Sequence, residues 1–239
     1  MFTQNLCPGA PVDWSRKALE TPTDGLRLVV VNSGTANVFA GQKSRDAVVE
    51  TAQGAAEIFG ADKDSTFLAS TGVIGEALDA SKVTAKFPEI LDGLTGDGWE
   101  AAARAIMTTD THAKGATRTA QIGGAEVIIN GIAKGSGMIA PDMATMLSFV
   151  ATDASIAQPV LQALLAQSVG PTFNAITVDS DTSTSDTLLL LASGKADHAQ
   201  ITDINDPALD DFKQALHDVL HELATVSYTH LTLPTILLV

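Results

Sequence analysis

The chain has 239 residues, 45% hydrophobic and 18% charged, a composition that buries a core and excludes a disordered or fibrous protein. Acidic side chains outnumber basic ones 28 to 14, and the formal net charge of -14 repels phosphate backbones and anionic membranes, so neither nucleic acid nor membrane is expected as a partner. With Cys7 as its one cysteine the chain has no internal disulfide and no cysteine-based metal cluster, which fits a reducing cytoplasmic compartment.

Pro8, Pro11 and Pro22 predict an irregular opening, and MFTQNLCPGAPVDW lacks the basic start and apolar run of an export signal. The β-branched run from Leu26 to Asn32 predicts the first buried strand. From Ser44 to Phe59 apolar and alanine positions recur at helical spacing, with Ser44 as N-cap and Gly60 as the stop. Thr66 to Ser70 reads as a short strand running into a turn at Thr71-Gly72, and Trp99 to Met107 as an alanine-rich helix. A hairpin about Gly123-Gly124 is predicted within Thr119 to Gly131, then a strand from Ser148 to Thr152 and a helix from Ile156 to Ser168. Phe173 to Asp179 and Thr187 to Ser193 are predicted strands separated by a hydroxyl-rich loop, and Ala208 to Leu223 is an amphipathic helix. The final stretch, Val226 to Val239, holds the one tyrosine, ends in bare apolar residues and reads as a foreign or frameshifted tail, with a genuine terminal strand as the alternative.

Hydroxyl-rich segments stand where strands end, the usual place for a site. KGSG at 134 to 137 has neither the spacing of a phosphate loop nor the one-residue gaps of a serine nucleophile elbow, which demotes nucleotide binding and serine hydrolysis. His217 and His221 share a helix face without further ligands at motif spacing, and no metal site is expected. Asp179, Asp181 and Asp186 lack the glycine and terminal glutamate of a calcium loop and are expected to make structural hydrogen bonds.

FTQN (2 to 5), NSGTANVFAG (32 to 41), STGVIG (70 to 75), MTTDT (107 to 111), KGSGMIAPDMATML (134 to 147) and the FNAITVDSDTSTSDT stretch (173 to 187) occur together and in order. This set resembles the bifunctional ornithine acetyltransferase/N-acetylglutamate synthase family from residue 2 to about 225. The resemblance implies a layered α/β sandwich with inner β-sheets flanked by helices, like that of the ornithine acetyltransferases and related self-cleaving aminopeptidases. It also implies a precursor that cuts itself between Ala144 and Thr145, dividing an N-terminal portion (1–144) from the start of a β chain (145–225) ahead of the tail (226–239).

By the same resemblance Thr145 is the nucleophile, its freed α-amine acting as a built-in base with a reference pKa near ~8. Thr71 and Gly72 correspond to the oxyanion hole, and Thr108, Lys134 and Thr145 to substrate-binding positions. The implied reaction moves acetyl from N-acetylornithine to glutamate through an acetyl-threonine enzyme. Acetyl-CoA serves some members as a further donor, and no cofactor is implied. The associated α and β chains are expected to form a heterotetramer. Thr35, Asp142, Ser180 and Ser185 depart from the family pattern, and members extend beyond both ends of this chain. Two alternatives stay open: an amino-terminal-nucleophile aminopeptidase or amidase with water as acceptor, and a catalytically dead fragment.

Overall fold

The computed structural model describes residues 1–22, 25–135, 145–175 and 182–226. Where an irregular opening was expected, Ala10–Glu20 is a helix, α1. Pro11 lies in its first turn, where the missing N–H is one that no helix would use, so this proline starts a helix instead of breaking one. Helix α1 packs along strand β2 (Thr66–Val73), whose other edge pairs in parallel with β1 (Leu28–Thr35). Ser15 Oγ donates to the Leu68 carbonyl at 2.7 Å and accepts the Leu68 N–H at 2.8 Å, while Trp14 Nε1 donates to the Thr66 carbonyl at 2.9 Å. The side chains of one helix thus satisfy an edge that would otherwise offer bare backbone groups.

Helix α2 (Gln42–Phe59) ends at Gly60 as expected, but its N-cap is Gly41, not Ser44. The chain turns into the helix two residues before the first charged-and-apolar repeat, so Ser44 lies inside and is buried. Strand β2 runs through Thr71 and Gly72, which were expected to form a turn, because Gly34 and Gly72 face each other in the parallel register and allow the ladder to continue to Thr35 and Val73. Two short helices, α3 (Ala80–Thr84) and α4 (Phe87–Asp92), were not foreseen, being too short to establish a period. Helix α5 (Trp99–Ala105) follows.

The hairpin of β3 (Lys114–Ile122) and β4 (Ala125–Lys134) turns at Gly123-Gly124. It is joined by β5 (Leu147–Thr152), antiparallel to β4, and by β6 (Thr187–Ala192), parallel to β5, in the order β3-β4-β5-β6. Helix α6 (Gln158–Val169) and helix α7 (Asp210–Val226) cover one face of this sheet. The first three residues of the strand expected over Phe173 to Asp179 form a 3-10 turn instead, Phe173–Ala175, with Phe173 buried against the helices; 176–179 lie outside the described residues. The tail over 227–239 also lies outside them.

Side-chain alternation sorts the strands into layers. Val127, Ile129, Val150 and Leu188 face Leu164 of α6 and Leu216 and Leu220 of α7. Ile132, Leu147, Phe149 and Leu189 point the other way, onto Phe67 and Ala69 of β2, with Ala103 and Ile106 from the α5 region filling the gap. Leu68 and Val30 turn outward onto Val48 and Ala52 of α2. The order is helix, two-stranded sheet, four-stranded sheet, helices, which agrees with the expected inner sheets between helical layers. Each fully buried leucine or phenylalanine contributes about 2 kcal/mol by leaving water.

Candidate active site

The apolar alternation ends in polar residues on the same inward face. Thr71 follows Phe67 and Ala69 at spacing two on β2, and Lys134 follows Ile132 on β4, so both reach the end of the space between the sheets. There Lys134 Nζ donates to Thr71 Oγ1 at 2.6 Å and to Thr108 Oγ1 at 3.4 Å. Lys134 is 2% exposed and Thr71 1%, so this contact between the two sheets is shielded from solvent. An ammonium has no lone pair to accept with, so the Thr71 hydroxyl oxygen is the acceptor and its own proton points elsewhere. Burial pushes Lys134 down from 10.5 to about 8; Asp110 and Asp186 pull it back up and Lys114 adds to the depression.

Asp110 and Lys114 form a second buried pair, Nζ to Oδ1 2.9 Å. Burial pushes the Asp110 carboxyl up, but the Gly135 N–H, the Lys114 ammonium and the Thr108 N–H together hold it below its ordinary value.

Lys134 pairs with Leu147 in the β4–β5 ladder, which places Thr145, two residues before Leu147, just past the lysine. Thr145 is 9% exposed, and its Oγ1 lies 3.2 Å from Ser183 Oγ, which also accepts the Ser185 N–H at 3.1 Å. The Met146 N–H donates to Asp186 Oδ1 at 2.8 Å, a structural hydrogen bond of the kind expected for this acidic loop. Gly72 has φ +126, and a Cβ there would run into the backbone of Gly34, so only glycine lets the two strands approach this closely.

Of the residues singled out in the sequence, Thr71, Thr108 and Lys134 are thus in direct contact, Gly72 adjoins Thr71, and Thr145 stands at the next strand's start with Ser183 as its hydroxyl partner. Ala144 lies outside the described residues. Asp110, Lys114 and Ser183 were missed. The opposite charges of Asp110 and Lys114 stand four apart in sequence, but nothing in that spacing shows that both are buried.

The ArgJ family model matches residues 1–228. The chain belongs to the ArgJ family. The arginine biosynthesis bifunctional protein ArgJ of Rhizobium meliloti is 57% identical over 227 residues, covering 94% of this chain and 54% of that protein. Its counterpart in Gluconobacter oxydans is 54% identical over 224 residues, covering 94% and 52%. The chain therefore spans about half the length of the curated ArgJ relatives it matches. Among solved structures, the arginine biosynthesis bifunctional protein argJ from Bacillus halodurans aligns with a TM-score of 0.51 at 33% identity, over 59% of this chain and 74% of that one. The layered α/β arrangement is thus shared with an ArgJ structure.

Proposed function

We propose that this ArgJ chain carries the acetyl-transfer site of an arginine-biosynthesis acyltransferase, with Thr145 as nucleophile. The observation that carries the reading is the meeting of Lys134, Thr71 and Thr108 between the sheets, beside the segment that Thr145 opens. Thr145 Oγ attacks the carbonyl carbon of Ala144; the acyl group shifts from nitrogen to oxygen, and water hydrolyses the ester. This leaves an Ala144 carboxylate and a free amine on Thr145. That amine then takes the hydroxyl proton as Oγ attacks the acetyl carbonyl of N-acetylornithine.

The oxyanion that develops is met by the Thr71 hydroxyl, which can donate its proton while its oxygen accepts from Lys134, and by the Gly72 N–H. The departing ornithine nitrogen takes the proton, and acetyl remains as an ester on Thr145. The amine of glutamate attacks that ester and leaves as N-acetylglutamate, restoring the hydroxyl; acetyl-CoA is a further donor to the same oxygen. Lys134 and Thr108 hold the amino acid's polar groups, the lysine as a point charge for the α-carboxylate. The α and β portions assemble as a heterotetramer in the cytoplasm.

Thr145→Ala in the full gene product is expected to abolish both the internal cut, read by mass spectrometry, and release of ornithine from N-acetylornithine. Ornithine release at the wild-type rate would exclude Thr145 as nucleophile. Free acetate without any need for glutamate would assign the site to a hydrolase instead.

A further inference from the structure

We infer that the buried Asp110–Lys114 ion pair is a positioning clamp for the acyl-transfer site, fixing Gly135 and with it the neighbouring Lys134 and Thr145. The inference rests on the proposed acetyl transfer and adds two residues to it. Asp110 lies between Thr108 and the start of β3, and Lys114 is the first residue of that strand. Both side chains are 1% exposed.

Their contacts converge on the site's backbone. The Gly135 N–H donates to Asp110 Oδ1 at 2.8 Å, and the Gly135 carbonyl accepts from Lys114 Nζ. Asp110 Oδ2 accepts the Thr108 N–H at 3.3 Å. One ion pair therefore grips both polar groups of the residue after Lys134 and the amide of Thr108, the two residues proposed to hold substrate.

Gly135 is also where β4 leaves the sheet, with φ +139, and a Cβ there would stand 3.5 Å from both the Thr145 carbonyl oxygen and the Met146 Cα. Gly135 is thus bonded to Lys134 on one side and lies close to the nucleophile's backbone on the other, so its position bears on both. A buried ion pair is a poor device for stability, since a neutral pair of similar volume often does as well. What a neutral apolar pair cannot do is hold a donor against the Gly135 carbonyl. Misplacing a reacting group by about 1 Å is enough to slow a reaction on the order of 100-fold.

The test uses the full gene product and N-acetylornithine as the probe. The burst of ornithine counts acylatable sites, and its rate constant gives acylation per site. In D110N/K114M both charges of the pair are removed together, so neither Asp110 nor Lys114 leaves its partner as a lone charge; the expected result is a wild-type site count with per-site acylation at least ~10-fold slower. Lys114→Arg keeps the charge balance but presents a broader planar donor to Gly135, and the folded variant, assayed well below its own melting temperature, is expected to acylate at least ~5-fold more slowly per site. A wild-type per-site rate in either folded variant overturns the clamp, including the case where only the number of sites falls. Thr145→Ala run alongside separates the two ideas: a surviving burst there sinks the acyl-threonine reading, whereas its loss with full-rate clamp variants sinks the clamp alone.

Discussion

Gly72 and Gly34 face each other across the parallel ladder of β1 and β2, yet alanine has unequal consequences at the two. At Gly34 the backbone has φ +107 but a Cβ would meet nothing within 4 Å, so Gly34→Ala is expected to cost about 1 kcal/mol of backbone strain. At Gly72 the same strain is joined by a collision with the Gly34 main chain, and Gly72→Ala is expected to cost at least about 3 kcal/mol. Urea unfolding of the two variants checks the order; equal losses would show that the close approach does not matter. Lys134 gives a second prediction. Its folded value of about 8 lies below the unfolded value near ~10.4, so burying the ammonium subtracts stability in full below about pH 8. That deficit disappears as pH rises towards ~10.4. As the proposed carboxylate holder it must be protonated, so kcat/KM is expected to fall above about pH 8, and Lys134→Met to lose both that limb and at least ~100-fold of activity. A pH profile that keeps the limb in Lys134→Met would assign it to another group. Lys134, Thr108 and Thr71 were singled out because each sits inside one of the motifs that carry the family resemblance, and the structure brings the three together. Asp110 sits in the same MTTDT motif as Thr108, but neither it nor Lys114 was singled out, because burial of an ion pair follows from neighbours distant in sequence.

The helix α7 illustrates the same division among elements. Its stripe Phe212, Leu216, Val219, Leu220 and Leu223 repeats at three and four residues, and that period alone predicts a helix with one apolar face. How closely it lies on the sheet is decided by Gly131 of β4, where a Cβ would stand 2.8 Å from Leu223 Cδ1, 3.1 Å from Val219 Cγ1 and 3.2 Å from Val150 Cγ2. Gly131→Ala is expected to push α7 outward and cost about 1–3 kcal/mol, measured as a loss of melting temperature. An unchanged melting temperature would mean that the helix can shift without loss. Helix α1 was read as irregular because prolines were weighed as breakers; position within the first turn reverses their effect. Helices α3 and α4 span about one turn each and leave no period to detect.

Across the whole molecule, the proposed cut after residue 144 falls between two strands of one sheet. β4 precedes it and β5 follows it, paired from Ile129↔Thr152 to Lys134↔Leu147, and the face of this sheet rests on α6 and α7. The two pieces are therefore expected to stay together after cleavage and to co-elute on gel filtration without denaturant; separation under those conditions would mean that the ladder and the core are too weak to hold them. The N-terminal segment strengthens the union, since Phe2 bridges to Thr187 and the Thr3 N–H donates to the Asp186 carbonyl at 2.9 Å, on the far side of the cut.

By itself the sequence determined which stretches are helical or extended over most of the chain, and its motifs singled out the hydroxyl, glycine and lysine residues proposed to share one chemistry. Hydrophobic period and motif order are local properties, carried by residues close along the chain. Only the tertiary structure decided that Lys134 touches Thr71 across two sheets, that Asp110 and Lys114 are a sealed pair gripping Gly135, and that Ser183 is the partner of the Thr145 hydroxyl. These contacts join residues up to 63 apart, and their direction and burial are set by how the sheets stack. No local pattern encodes that stacking.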